Sequence, residues 1–146
     1  DIKIQIVGYF DTNPTAISEN DLKVYINKGV VEYLGYHEDV RPFLEKCTIF
    51  VLPSYHEGTP KSVLEAMATG RPIITTDVPG CRETVIDGVN GFLITAKNTE
   101  ALIEKMIWMI KNKNIIKKMG NESRKLCEQK FDVNKVNDII LKTMNL

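Results

Sequence analysis

The chain has 146 residues, of which 43% are hydrophobic and 26% charged, proportions that suit one domain with a proper buried core. Lysine plus arginine equals aspartate plus glutamate at 19 each, so the formal net charge is zero and the basic excess that drives non-specific nucleic-acid binding is missing. Cys47, Cys81 and Cys127 are odd in number and widely spaced, which argues against a disulfide framework or zinc site and for a reducing, cytoplasmic setting; no run reaches the roughly 18 apolar residues of a membrane-spanning helix.

Ile2 to Val7 alternates with polar residues and predicts a strand running into Gly8. The chain opens directly in this strand, without an initiator methionine or a signal-peptide layout, as expected of a piece of a longer protein. Residues 11–16, DTNPTA, carry turn chemistry, and Ser18 is placed to cap a short helix reaching Asn27. Val30 to Leu34 predicts a strand closed by Gly35. Val40 to Lys46 predicts a helix with Asp39 as N-cap and Pro42 in its first turn, where proline is tolerated.

Thr48 to Leu52 is a nearly continuous β-rich apolar run, the pattern of a strand covered on both faces in a parallel sheet. Pro60 to Thr69 predicts a helix ended by Gly70, RPIITT the next buried strand, and DVPG a turn out of it. CRETVIDG predicts a short helix and NGFLI a last strand after an Asn-Gly turn. From Asn98 onward the pattern is helical in three segments. Alternating strands and helices call for an α/β fold, a doubly wound parallel sheet, in which ligands sit beyond the carboxyl ends of the strands.

VLPSYHEG is such a strand-end loop, and it leads into a helix bearing two carboxylates at a spacing of eight, Glu57 and Glu65. With Thr59 as N-cap and Pro60 as first helical residue, the free N–H groups of Lys61 and Ser62 point out of the helix start, a setting suited to phosphate oxygen. Gly58 lets a ligand approach the backbone. Glu65, about a turn and a half in, can accept two hydrogen bonds from a ribose diol, and Glu57 can reach another part of the same ligand. Spacing alone leaves a second reading open, in which the glutamates complement the helix dipole and Glu65 pairs with Arg71 or a lysine.

The longer string VLPSYHEGTPKSVLEAMATGRPIITTDVPGCRETVIDGVNGFLI resembles the donor-binding half of family 4 glycosyltransferases, retaining enzymes of the GT-B fold. The likeness runs through the Pro-Ser before the loop, the Glu57 and Glu65 pair and the Glu-Ala-Met-Ala of 65–68. It continues through Gly70, Pro72, the Thr-Asp at 76 and 77, Gly80, Glu83, Gly88 and the Asn90-Gly91 pair. Weaker agreement reaches back to Val7-Gly8 and Leu34-Gly35 and forward into the last helices.

The resemblance implies a Rossmann-like C-terminal domain that binds a nucleotide-sugar, most simply a UDP-sugar. It implies Glu65 on the ribose and Glu57, the catalytic candidate, beside the donor sugar and diphosphate. Backbone amides from Gly58 through Thr59 and Pro60 to Lys61 and Ser62 would meet sugar or phosphate, Val63 and Leu64 would pack beside the nucleotide, and Gly35, Tyr36 and His37 would lie near the base. It further implies a glycan or lipid-linked acceptor held by an N-terminal domain outside these residues, along with an arginine and a lysine that neutralise the diphosphate; the fragment alone is expected to be inactive. No Asp-x-Asp pair occurs, so no metal and no cofactor are expected. Two rivals stay open: a nucleotide-sugar epimerase of the same fold, and a non-catalytic nucleotide-binding module. A dehydrogenase is disfavoured because no Gly-x-Gly-x-x-Gly follows a strand.

His56 and Glu83 are weaker candidates, the first a polar loop residue and the second explained by a helix dipole. Met106, Trp108 and Met109 have helical spacing and predict packing. The lysine-rich KNKNIIKKMG reads first as a solvated face and second as a peripheral contact with an anionic membrane.

Overall fold

The computed structural model describes residues 2–11 and 16–144, and their contacts gather into two units, Asp1–Val40 and Arg41–Leu146. In the first, β1 (Gln5–Val7) and β2 (Glu32–Gly35) pair in parallel around α1 (Glu19–Asn27). Ser18 caps α1 as expected, its Oγ accepting from the Asp21 N–H, and Glu19 and Asp21 complement the dipole of the first turn. Of the turn expected at 11–16, residues 12–15 lie outside the described residues.

The second unit runs α2 (Arg41–Lys46), β3 (Phe50–Leu52), α3 (Lys61–Ala68), β4 (Ile73–Thr76), a single 3-10 turn (Arg82–Thr84), β5 (Gly91–Ile94), α4 (Thr99–Lys111), α5 (Lys113–Lys130) and α6 (Val133–Thr143). Its sheet has the order β3-β4-β5 with every pairing parallel, so β4 is central and all four of its residues are buried. That burial on both faces is why the segment reads as an unbroken β-branched run. Ile74, Phe92 and Ile94 of the sheet meet Met109 of α4 and Met119 of α5 in the core, with Met106 packed against them. Trp108 closes the cluster edge-on to Phe92, ring centroids 5.0 Å apart, so the three residues read as packing from their spacing do pack.

Several boundaries differ from the sequence reading. The second helix begins at Arg41, one residue later than expected. The helix expected over CRETVIDG shrinks to one 3-10 turn, because Thr84 and Asn90 are drawn inward. Asn90 ends the turn before β5, as expected. Its buried side chain also accepts from the Ile86 N–H and donates to the Thr84 carbonyl, and Gly88 in the same turn has φ +74. Asn98 and Asp132 cap α4 and α5's successor α6 through their side chains. Among the described residues no helix is long and apolar enough to cross a membrane.

Close backbone approach explains two glycines better than turn chemistry does. A Cβ at Gly91 would overlap the Ile73 carbonyl of the neighbouring strand, and one at Gly120 would overlap the Gly70 carbonyl. The second contact seats α5 over the end of α3, where the Arg124 guanidinium donates to the Ala68 carbonyl and the Cys127 thiol reaches the Leu64 carbonyl at 3.7 Å. The Ala68 carbonyl, left without an intrahelical partner at the end of α3, is thereby satisfied. Alanine ordinarily favours a helix over glycine, yet Gly120→Ala should lower stability here, by about 1–3 kcal/mol of overpacking, seen as a fall in Tm.

Burial pushes the Cys47 thiol above its ordinary value, outweighing the hydrogen bond to Ile49 and the charge of Arg71. Burial also raises the Cys127 thiol, against the pull of Arg124. Since the thiolate is the reacting form, both should be alkylated at mildly alkaline pH more slowly in the folded protein than in urea, as mass spectrometry of the modified peptides would show.

Candidate functional site

Glu57 sits in the loop between β3 and α3, at the carboxyl end of the sheet. Three features hold that loop. The Thr75 hydroxyl of β4 donates to the Leu52 carbonyl at 2.8 Å, and the Thr76 hydroxyl donates to the Ser54 carbonyl. Ser54 in turn donates through its Oγ to Glu57 Oε1 at 2.9 Å, orienting the carboxylate. Gly80, at φ +86, lies so close to the loop that a Cβ there would overlap the carbonyls of Glu57 and Gly58. The Gly80 N–H is itself held by Glu83 Oε2 at 2.7 Å. Glu83 lies in the first turn of the 3-10 segment, the helix start its position suggested, and it also fixes the turn that backs the Glu57 loop.

The helix start differs by one residue from the expected arrangement. Pro60 is the N-cap, extended at φ −72 and ψ 117, and Lys61 is the first helical residue, so Thr59 is outside the helix. The reason is visible in the hydrogen bonds: the Pro60 carbonyl accepts from both the Val63 and the Leu64 N–H, and intrahelical bonding begins at that carbonyl. A proline ring fixes φ but leaves ψ free to be extended, so it can cap as well as start a helix. The shift leaves the N–H groups of Lys61 and Ser62 without partners among the described residues. Gly58 and Thr59 are exposed, and Pro60 is buried beneath them.

Further along α3, Val63 is fully buried and packs under the helix start, whereas Ser62 and Leu64 are half-buried. Glu65 is one-third exposed at its side chain and lies 3.6 Å from the Lys61 ammonium, which is 89% exposed. An i,i+4 pair in this order, cation first and at the positive end of a helix, is worth a few tenths of a kcal/mol at most. Arg71, the other cation considered for Glu65, donates instead to the Cys47 carbonyl at 2.8 Å. His56 is exposed, and its carbonyl accepts from Ser54 at 3.3 Å. Lys97, the one described non-glycine residue with positive φ (63), places its ammonium 5.7 Å from the Tyr55 ring beside the same loop.

Gly35, Tyr36 and His37 follow β2 in the first unit. Gly35, at φ +77, accepts at its carbonyl from the Gly8 N–H at 2.9 Å, and the Tyr33 hydroxyl donates to the Gly8 carbonyl at 2.8 Å, so the two strand-end glycines of that unit are tied together. Tyr36 is exposed and meets Tyr9 edge-on at 6.1 Å; His37 Nε2 lies 2.9 Å from the Leu34 carbonyl. Among the described residues no three His, Cys, Asp or Glu side chains converge. The supports supplied by Ser54, Thr75, Thr76 and Gly80 were not assigned roles from the sequence; a pair of hydroxyls ending a fully buried strand is the signal that marks the first of them.

A helix start with free N–H groups, placed beyond the carboxyl end of a parallel strand in an α/β fold, is a setting suited to an anionic ligand. Residues 1–112 match the Glycosyl transferases group 1 family, and the chain belongs to that family. It is 39% identical over 110 residues to the N,N'-diacetylbacillosaminyl-diphospho-undecaprenol alpha-1,3-N-acetylgalactosaminyltransferase of Campylobacter jejuni, covering 75% of this chain and 28% of that protein. It is 29% identical over 130 residues to the capsular polysaccharide biosynthesis glycosyltransferase CapM of Staphylococcus aureus, covering 89% and 34%. The chain thus spans well under half of these relatives. Among solved structures, Anabaena HepE in complex with UDP superposes with a TM-score of 0.86 at 23% identity over 99% of this chain and 41% of that one. S. aureus TarM in complex with UDP superposes with a TM-score of 0.86 at 23% identity over 99% and 29%. The fold is that of the GT-B glycosyltransferases.

With its carboxylate bonded by Ser54 and its backbone against Gly80, the Glu57 loop should be sensitive to bulk behind it. Gly80→Ala should lower Tm, since a close-packed backbone contact would have to open, by about 1–3 kcal/mol of stability. Thr76→Val should lose about 1 kcal/mol with its hydroxyl's hydrogen bond. Chemical denaturation of the two variants measures both.

Proposed function

We propose that the whole protein is a retaining, metal-independent family 4 glycosyltransferase that moves a sugar from a nucleotide-sugar, a UDP-sugar by preference, to a glycan or lipid-linked acceptor. The residues in hand are its donor-binding part, one nucleotide-sugar-binding domain, and by themselves inactive. The observation that carries this reading is the pair of unpartnered N–H groups at Lys61 and Ser62, flanked by Glu57 and Glu65 at the carboxyl end of β3. Family membership supports the chemistry, and HepE, solved with UDP and with UDP-glucose, supports the choice of nucleotide. Acceptors follow from the relatives, one of which is named for a diphospho-undecaprenol substrate.

In this reading the α3 start takes the donor diphosphate, with the Gly58–Thr59 backbone beside it and Lys61 adding charge, and Glu65 accepts the ribose hydroxyls. Leu64 borders the nucleotide and Val63 supports it from below. Gly35, Tyr36 and His37 are assigned to the base on the family likeness. Glu57, held by Ser54, serves the donor sugar. As the nucleoside diphosphate departs and the acceptor attacks the same face of the sugar, negative charge grows on the leaving phosphate, and preset N–H dipoles stabilise it without reorganising. The Lys61–Glu65 pair contributes so little to the helix that its residues are better explained as ligand groups. The three free thiols suit a cytoplasmic location, at the inner face of a membrane when the acceptor is lipid-linked.

Calorimetry of the complete protein with UDP and UDP-sugars should give saturable heat. Glu65→Ala should weaken UDP binding by roughly tenfold to a hundredfold, the loss of a charge-assisted hydrogen bond of about 1.5–3 kcal/mol, whereas Glu57→Ala should chiefly lower turnover. No saturable heat would leave a purely structural module, and normal binding and turnover in both variants would overturn the site assignment.

A further inference from the structure

The opposite end of the same sheet carries a charge cluster that donor binding does not use. Before β3 and β4, and against the first turns of α5, lies a cleft of about 460 Å³ bordered by Lys46, Arg71, Lys113, Lys117 and Asn121. No aspartate or glutamate borders it. Among the described residues the four cations of the cleft have no carboxylate partner. Arg71 spends Nη1 on the Cys47 carbonyl, and its Nε is shut away from solvent without a hydrogen-bond partner.

Fold stability does not account for this cluster. Lys113 and Lys117 are like charges one turn apart, which repel, and they occupy the end of α5 whose dipole is already positive. Each of the four would be more favourably placed beside an anion. The volume lies within the range of small-ligand pockets, and lysine ammoniums beside a guanidinium and a carboxamide match the oxygens of a phosphate group.

We propose that the cleft at the amino ends of β3 and β4 is a second binding site, for a phosphate-bearing anion, separate from the donor site at the carboxyl ends. The phosphate belongs either to a soluble compound or to a phospholipid headgroup at a bilayer surface, and the two sources are distinguishable. Independent of the donor reading, the proposal stands on Lys46, Arg71, Lys113 and Lys117 alone.

The test uses the complete protein, its Lys113→Glu/Lys117→Glu variant and the charge-preserving Lys113→Arg/Lys117→Arg variant. In one arm pyrophosphate is titrated calorimetrically with UDP present in excess, which occupies the donor site. In the other, the proteins are sedimented with phosphatidylcholine vesicles prepared with or without phosphatidylglycerol. The unmodified protein should bind in one arm at least, more weakly as salt is raised. The glutamate variant should bind about tenfold more weakly or worse, as removal of charge-assisted contacts requires, while the arginine variant keeps its affinity. UDP affinity should be the same in all three proteins, and the Tm of the glutamate variant should be no lower than that of the unmodified protein. A response to pyrophosphate alone assigns a soluble ligand, and a response to anionic vesicles alone assigns a headgroup. Absence of binding in both arms, or binding that the glutamate pair leaves unchanged, would overturn the proposal.

Discussion

Two threonine hydroxyls on the central strand hold the loop that bears Glu57, and much of the molecule serves to keep them there. Thr75 and Thr76 are buried, so their hydroxyls must find partners, and they find them in the carbonyls of Leu52 and Ser54 where β3 gives way to the loop. β4 can offer those groups only because it is sandwiched between β3 and β5, which needs Gly91 to let the strands close up beside Ile73. The loop is thus suspended from the most deeply buried strand, and Ser54 passes that rigidity on to the Glu57 carboxylate. Gly80 closes the other side, backed in turn by Glu83. A site built this way is ordered before a ligand arrives, which is what stabilising a developing charge demands.

The two ends of the β3-β4-β5 sheet differ in electrostatic character. At the carboxyl end, N–H dipoles and carboxylates stand together, a mixture suited to a ligand with both phosphates and hydroxyls. At the amino end, cations gather with no acid among them. The formal net charge of zero hides this, because a sum over the chain says nothing about where the tertiary structure collects each sign. Helix α5 links the ends: its first turns border the cationic cleft, its middle presses Gly120 onto Gly70, and its later turns bond the carbonyls of α3, the helix that begins at the candidate site.

The order of strands and helices, the parallel pairing, the cap at Ser18 and the packing role of Met106, Trp108 and Met109 were all legible in the sequence. They rest on local preference and on periodicity, which neighbouring residues carry by themselves. So was the segment with Glu57 and Glu65, since a strand end, a glycine and a proline-led helix stand consecutively. Less visible were the details set by distant partners. Whether Thr59 or Pro60 caps α3 depends on a ψ angle that proline leaves open, and the turn at Asn90 is legible while its side-chain bonds to Ile86 and Thr84 are not. Glu83 is legible as an acid at a helix start, but its bond to the Gly80 N–H is not.

By itself, then, the sequence determined the α/β class, the run of elements and the strand-end loop and helix that carry Glu57 and Glu65, because alternation, caps and breakers act over a few residues. Only the tertiary structure decided which groups hold that stretch in place and which cations share a cleft. Thr76 is 22 residues from Ser54, and Lys117 is 46 residues from Arg71, and contacts across such separations exist only once the sheet and its covering helices have formed.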